Sequence, residues 1–349
     1  MSRARSVAVI GAGIAGLSCA RALADLGLAV TVFEKSRGTG GRMSTRRRDK
    51  AAWDHGAQYF TARDPAFRAQ VASWVQGGDA ALWQPRLAVL GGGSPPESHE
   101  APERYVGAPR MTAPATRLAE GLAVLTEKTV SRLERTSAGW LVHVTDGNAP
   151  GAIGTSPAAS GSAHTGSDGA PVSFSAVAVA IPSPQCKRLL ATTAPEMAAS
   201  AARVAMQPCW SAMLTFDAPP ELSFDAAFVN DGPLRWVARN STKPGREVCD
   251  AWVLHASAAW SEQHLDATAE SAGVALAEAF RAWGAPSPAT CAGHRWLYAL
   301  ASAPLDVECL WDATARLGAC GDWVLGGRVE GAWLSGRNLA WRVATALSS

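Results

Sequence analysis

No two cysteines in this chain stand in a Cys-x-x-Cys spacing, and the seven present are scattered and odd in number. That excludes a disulfide framework and a thiolate zinc site and fits reduced thiols in the cytoplasm. The seven histidines lack metal-ligand spacing, so no metal is expected. No apolar run reaches transmembrane length, and a formal net charge of +2 over 349 residues gives no reason to expect nucleic acid or membrane as partner. Arg3 and Arg5 precede an apolar stretch, as in a secretory signal. Arg21 and Asp25 interrupt it, however, and Gly16-Leu17-Ser18-Cys19 only loosely matches a lipoprotein cleavage site. Tyrosine is scarce, three residues against 14 tryptophans. So many indoles either pack cores and domain junctions or line a flat pocket for a planar ring.

What is present is glycine in two clusters near the start. Gly11-Ala12-Gly13-Ile14-Ala15-Gly16 follows the apolar run Val7-Ala8-Val9-Ile10. Glu34 closes a second apolar run from Ala29, and Gly38-Thr39-Gly40-Gly41-Arg42 comes next. The first run predicts a buried parallel strand. Ile14 to Gly27 predicts a helix with Ile14, Leu17, Cys19, Leu23 and Leu26 on one side and Gly27 at its C-cap. Gly11 permits the tight turn, Gly13 lets backbone approach a pyrophosphate, and Gly16 lets helix pack on strand. The helix N-terminus then faces the phosphates, and Glu34, about twenty residues on, accepts ribose hydroxyls. Strand, turn, helix, strand and acid in this order predict a dinucleotide site. The second glycine cluster separates a flavin from a nicotinamide dinucleotide, with Arg42 offsetting phosphate charge. Arg46-Arg47-Arg48 is either a solvated loop or a lip that attracts phosphate.

Farther along, Pro65–Gln76 and Met111–Leu122 predict helices, the second with Thr112 as N-cap, while Ala88–Glu103 is turn-rich. Ala123–Glu127, Val130–Arg135, Trp140–Thr145 and Val172–Ile181 predict strands of a small meander. Between them Asp146–Pro171 is almost all small and polar, a loop by composition. Met206–Phe216, Ala226–Asn240, Val248–Ser257 and Cys291–Leu300 predict an antiparallel sheet. Gln263–Trp283 predicts one helix with Ala272, Val274, Leu276, Ala279 and Phe280 apolar. Leu317–Asp322 is a last strand, Gly326–Ala332 a turn, and Ala332–Leu347 a closing helix. There Asp322 suits a ribityl hydroxyl, and the helix N-terminus suits the pyrimidine edge of a flavin.

Several segments together resemble the renalases, most closely the bacterial ones, within the FAD-dependent amine-oxidase-like superfamily. They are Lys35–Gly38, Gly41–Ser44, Gly56–Asp64, Trp236–Asn240 with Lys243–Arg246, Trp252–Ala256, His294–Ala299 and Gly321–Gly336. His55 and the Asp146–Pro171 loop depart from the pattern. The resemblance implies an α/β fold of amine-oxidase/PHBH-like topology: a Rossmann-like FAD-binding domain and a second, mixed or antiparallel-sheet substrate domain. The expected division is 1–64, 109–204 and 305–349 for FAD, and 65–108 and 205–304 for substrate. It further implies noncovalent FAD held by Gly11, Ala12, Gly13, Ile14, Ala15, Gly16, Glu34, Lys35, Gly41, Arg42, Met43, Gly56, Ala57, Gln58, Tyr59, Phe60, Val130, Gly321, Asp322, Gly331, Ala332 and Trp333. The implied reaction is oxidation of 2- or 6-dihydro-NAD(P) isomers to NAD(P)+, with O2 as acceptor and hydrogen peroxide as product.

Hydride transfer from a dihydropyridine needs no obligatory base, so aromatic and amide groups are expected at the site rather than a triad. Tyr59, Trp236, His255 and Trp296 are the candidates by resemblance and strand placement; each is otherwise a packing residue. Gln58 suits either the flavin or the carboxamide. Arg235, Arg239, Lys243 and Arg246 gather in the predicted substrate sheet, where a cationic pocket mouth would draw in phosphates. Two other readings stay open: a flavin amine oxidase, for which Lys243 is the obvious lysine, and a noncatalytic flavin-binding protein.

Overall fold

The computed structural model describes residues 5–92, 102–146, 170–247 and 249–348. The chain forms two compact units, Met1–Gly41, Ala115–Ala205 and Ala301–Ser349 in the first, Arg42–Pro114 and Met206–Leu300 in the second.

The first unit is built on a six-stranded sheet. Its order is Leu310–Asp312, Leu317–Ala319, Ala176–Val179, Ser6–Ile10, Ala29–Phe33, Ala123–Leu125. All neighbours run parallel except the first pair. Val7, Ala8 and Val9 are wholly buried, as a central strand covered on both faces requires. The helix Ile14–Asp25 follows, and Gly27 turns the chain at φ +80°. Leu26, expected on the buried side, is 59% exposed because it caps the helix instead of extending it. The run expected as one strand over 172–181 splits at Ser175. Val172–Phe174 joins an antiparallel meander with Gly139–Asp146 and Lys128–Thr136, whereas Ala176–Val179 enters the parallel sheet. Most of the Asp146–Pro171 loop, 147–169, lies outside the described residues.

The expected helix over 111–122 is shorter, Ala113–Ala119. The closing helix, Val329–Ser348, begins three residues before the expected start, so Gly331 falls within its first turn and the tight turn is left to Gly326 and Gly327. It lies directly on Ile14–Asp25. A Cβ on Gly336 would sit 2.1 Å from the Ala15 carbonyl oxygen, and Ser18 Oγ donates to Trp333 O at 2.8 Å. No helix among the described residues is long and apolar enough to cross a membrane.

The second unit has its own six-stranded sheet, ordered Thr290–Ala301, Met206–Thr215, Ala251–Ala256, Leu234–Arg239, Ala226–Val229, Leu87–Leu90. The last strand was expected as turn; it pairs parallel with Ala226–Val229. Along each strand, side chains alternate between faces. One face carries Trp210, Ala212, Leu214, Trp252, Leu254 and Val237, packed with Leu276 and Phe280. The helix expected over 263–283 is two, Ala258–Gln263 and Ala269–Arg281, capped by Ser257 and Thr268. In the second helix Ala272, Leu276 and Phe280 recur every four residues and are buried, whereas Val274, off that stripe, is 52% exposed.

The chain enters the second unit after Gly41, not after residue 64 as expected. The reason lies in the hairpin Arg46–Arg48 and Ala51–Trp53. Trp53 packs with Met213 and Val253, and its Nε1 donates to Leu214 O at 2.9 Å. Residues 109–114 also fall in this unit, where Met111 N donates to Asp54 Oδ1, and 301–304 fall in the first, where Ser302 N donates to Ala205 O.

The contact at Gly336 gives a stability test. Gly336→Ala should destabilise the protein by about 1–3 kcal/mol, because two backbones meet where the new methyl would stand. A fall in the thermal midpoint, absent in the surface control Leu26→Ala, checks it.

Candidate active site

The first glycine cluster builds a cradle in the first unit. Gly11 has φ +102°, and a Cβ there would lie 2.5 Å from Ala180 O; at Gly16 it would lie 1.9 Å from Gly11 O. At Gly13 a Cβ would meet nothing within 4 Å. Gly13 is the helix N-cap without a side-chain capping bond, so the first-turn N–H groups around Ile14 and Ala15 are not met by a cap. Ala12 N and Ser36 N each donate to one Glu34 carboxylate oxygen at 2.8 Å, leaving lone pairs for hydroxyls. Gly40 N donates to Ala12 O, and Gly41, at φ +54°, lies against Gly13. Lys35 is exposed; Val130 is half-buried on the strand whose Lys128 N donates to Glu34 O. At the other end of the chain, Gly321 N donates to Ser335 Oγ and Gly327 N to Asp322 O. Gly331 has no room for a Cβ, which would come 2.0 Å from Leu325 O. Ala332 and Trp333 are buried, and Arg337 stacks over the Trp333 ring at 4.9 Å. An open position at Gly13, an uncapped helix start and a buried, backbone-held carboxylate together fit a dinucleotide.

Arg42, Met43, Gly56, Ala57, Gln58, Tyr59 and Phe60, expected with that cradle, belong to the second unit. Arg42 O accepts from Ala57 N, and Arg42 Nη1 donates to Ala299 O. A Cβ on Gly56 would collide with Arg42 O at 2.0 Å. Met43 is buried, and Phe60 sits in an aromatic core with Phe67, Trp74 and Tyr105.

The segment around Gln58 is held by a buried ion cluster. Asp54 is wholly buried; its Oδ2 accepts from Lys243 Nζ at 3.2 Å and from Arg246 Nη2 at 2.5 Å, and its Oδ1 from Thr45 Oγ1 at 2.6 Å. Burial alone would raise the Asp54 pKa, but the two cations and Thr45 hold it down at about 2. Burial pulls Lys243 down to about 8 against the pull of Asp54. Asn240 bridges the cluster to Asp54 N and Ala52 O. Gln58 donates to Asp54 O and Gly56 O and accepts from Lys243 Nζ, so both ends of its amide are engaged within the unit.

Beside this cluster the second face of the sheet carries a row across four strands: Ser211, His255, Trp236, Phe228, each directly opposite the next. His255 Nε2 lies 3.0 Å from His55 O, and Trp296 Nε1 donates to the same oxygen at 2.9 Å. His55 packs against Trp296 and His294, with ring centroids 5.0 and 4.7 Å apart. Tyr59 packs on Trp236 at 5.5 Å, and Arg104 lies over the Tyr59 ring at 5.4 Å. Thus all four catalytic candidates, Tyr59, Trp236, His255 and Trp296, lie in one neighbourhood. All three imidazoles are held neutral. Burial, then His294, Arg46 and His255, pushes His55 down to about 3; burial, then Lys243 and Arg235, lowers His255 to about 4; burial and Arg46 lower His294 to about 4.

The expected cationic pocket mouth is not formed by these four residues. Lys243 and Arg246 are spent on Asp54, and Arg239 pairs with Asp250 at 2.9 Å; only Arg235 is exposed. Asp54, Asn240 and Arg104 escaped the sequence reading. The Lys243-Pro244-Gly245-Arg246 turn was the available signal, since Gly245, at φ +74°, folds both cations inward against Pro109. Among the described residues no group of three His, Cys, Asp or Glu could hold a metal.

Comparison with known proteins agrees with this architecture. Residues 9–73 match the family model described as an NAD(P)-binding Rossmann-like domain. An L-amino-acid oxidase of Bothrops pauloensis is 48% identical over 52 residues, 15% of this chain and 10% of that protein. The mitochondrial protoporphyrinogen oxidase of Nicotiana tabacum is 47% identical over 60 residues, 17% of this chain and 12% of its own. The chain therefore matches only about a tenth of the length of these relatives. Cyclohexylamine oxidase from Brevibacterium oxydans superposes with a TM-score of 0.73 over 99% of this chain and 100% of its own, at 14% identity. Putrescine oxidase bound to putrescine gives 0.68 over 99% of each chain at 13% identity. The chain has the amine-oxidase fold, with a Rossmann-like domain of the kind that takes FAD or NAD(P).

Two outcomes follow from the charges. Asp54→Asn should destabilise by about 3–5 kcal/mol, since it leaves two buried cations without their carboxylate; chemical denaturation measures it. The unfolded chain protonates its histidines near pH 6.5, whereas the folded sites wait until about pH 4 or 3. Between these values the unfolded state binds more protons, so stability should fall as pH drops from ~6.5 towards ~4. The thermal midpoint against pH reads this, and His255→Gln should flatten the slope.

Proposed function

We propose that this protein is an FAD-dependent oxidase that converts 2- or 6-dihydro-NAD(P) to NAD(P)+. The balanced reaction is dihydro-NAD(P) + O2 + H+ → NAD(P)+ + H2O2, a repair of misreduced cofactor, carried out in the cytoplasm. The observation that carries this reading is the aromatic row of Trp236, His255 and Phe228 beside Tyr59, with neutral imidazoles and no carboxylate in the row. Bound FAD would supply the two-electron chemistry, accepting a hydride and passing the electrons to O2.

The chain's own residues would do the rest. Gly11, Gly13 and Gly16 with the first turn of Ile14–Asp25 would seat the pyrophosphate, and Glu34 the ribose. Tyr59 and Trp236 would give a flat ring its stacking surface. His255 and Trp296, both anchored to His55 O, would fix the edge of that surface. No residue need remove a proton, because the ring loses hydride directly and becomes aromatic.

The amine-oxidase fold supports a second reading, oxidation of an amine. Against it, Lys243 is fully buried and bonded to Asp54 and Gln58. Anaerobic titration separates the two. Rapid bleaching of the bound flavin by 2- or 6-dihydronicotinamide dinucleotides, with none by putrescine or cyclohexylamine, is expected. Bleaching by the amines alone would overturn the proposal, and protein that cannot be reconstituted with FAD would remove both.

A further inference from the structure

The first unit carries a cleft whose lining residues take no part in the dinucleotide cradle. It lies between one face of the closing helix Val329–Ser348 and the hairpin of Leu310–Asp312 and Leu317–Ala319, and its volume is about 840 Å³. Pockets for small ligands span roughly 300–1,000 Å³. Gly318 makes the seat. A Cβ there would stand 2.2 Å from Leu339 Cδ1 and 3.0 Å from Trp311 Cε3, so helix and hairpin meet closely with the Trp311 ring beside the contact. Asn338, Trp341 and Arg342 follow at helical spacing along one wall, and Trp311 and Arg316 come from the hairpin.

Two features of this cleft ask for a ligand. Trp341 is 73% exposed, more than any other large apolar side chain among the described residues, so it holds a broad ring in water. The other feature is a cation out of balance. Arg342 Nη2 pairs with Glu308 at 3.4 Å, and the two charges offset each other. Arg316 is exposed, and its side chain has no hydrogen bond or ion pair among the described residues. It is also held where an arginine gains nothing: its φ is +53°, a left-handed conformation that costs any residue with a Cβ and favours glycine. Bonds from the rest of the unit fix the turn in place. Val177 N donates to Arg316 O at 3.0 Å, Trp140 Nε1 to Ala315 O at 2.8 Å, and Arg135 Nη2 to Thr314 O at 2.6 Å. The guanidinium therefore stands on a rigid turn at the cleft, one positive charge in surplus beside two indole rings.

We propose that this cleft binds a small planar aromatic monocarboxylate, its ring against Trp341 and Trp311 and its carboxylate paired with Arg316. The surplus of one positive charge matches a monoanion, whereas a phosphate dianion would bring a second charge towards the Glu308 carboxylate. A flat guanidinium takes a carboxylate by two parallel hydrogen bonds, and indole faces favour a flat ring over a saturated one. Asn338 adds an amide for a polar substituent on the ring. The site belongs to the first unit alone and stands independently of the proposed reaction.

The test uses the FAD-loaded protein and three probes: 2-naphthoate, its neutral amide, and the saturated acid decahydronaphthalene-2-carboxylate. Calorimetry and saturation-transfer NMR give the dissociation constants without turnover. Naphthoate should bind at least about tenfold more tightly than the amide, the worth of a charge-assisted pair, and about threefold more tightly than the saturated acid. Arg316→Gly removes the cation and relieves the left-handed residue. It should keep or raise the thermal midpoint while naphthoate affinity falls to that of the amide. Trp341→Ala, at an exposed position, should keep the fold and abolish the preference for the flat ring. Equal binding of naphthoate and amide, no naphthoate binding, or full naphthoate affinity in both variants overturns the inference. So does sedimentation that shows a dimer which Trp341→Ala turns into monomer, since a second copy would then cover the cleft. None of these outcomes bears on whether dihydropyridines bleach the flavin.

Discussion

The second unit turns on one buried carboxylate. Asp54 gathers Thr45, Met111, Lys243 and Arg246, contributed by three separated stretches of chain, onto two oxygens with no exposed surface. A charge at such depth persists only with its partners in place. Those partners in turn fix the loop from His55 to Tyr59, because Gln58 is bonded to the same cluster and His55 O is the common acceptor for His255 and Trp296. The aromatic face beside it inherits its geometry from an ionic knot.

That arrangement also separates charge from the surface on which a ring would stack. Two cations meet one carboxylate, and burial first, then Lys243 of the cluster and Arg235 outside it, keep neighbouring His255 unprotonated. The stacking face therefore presents indole, phenol and neutral imidazole. In the proposed reaction such a face would also favour the product weakly, since electron-rich indole and phenol rings attract a ring cation.

Local order explains what could be read from the residues alone. The strand Ser6–Ile10, the helix after it and the carboxylate of Glu34 follow from contiguous patterns of glycine and apolar residues, and they form where expected. Strands at 206–216 and 291–300 were legible from alternation, whereas the run expected as a strand over 226–240 is a hairpin of two, Ala226–Val229 and Leu234–Arg239. Boundaries governed by distant partners were not. Nothing near residue 50 announces that Trp53 will bond Leu214, or that Asp54 will claim Lys243 and Arg246 nearly 190 positions away, so the domain boundary was set too late. The same blindness placed those cations at a pocket mouth. Leu87–Leu90 escaped because an edge strand of four residues in a polar stretch has its signal in the partner strand. Tyr59, Trp236, His255 and Trp296 came from resemblance and strand placement, whereas Arg104 had no pattern to reveal it.

Ser175 has a wider consequence. A single backbone passes from meander to parallel sheet there within one residue, its N–H bonded to Ser6 O. Side chains alternate with a period of two, so adding or removing one residue at this hinge would swap the inward and outward sets of Ala176–Val179. Natural variants of this architecture should therefore hold the count from Val172 to Val179 constant, and a grafted reporter domain would be badly placed anywhere near it.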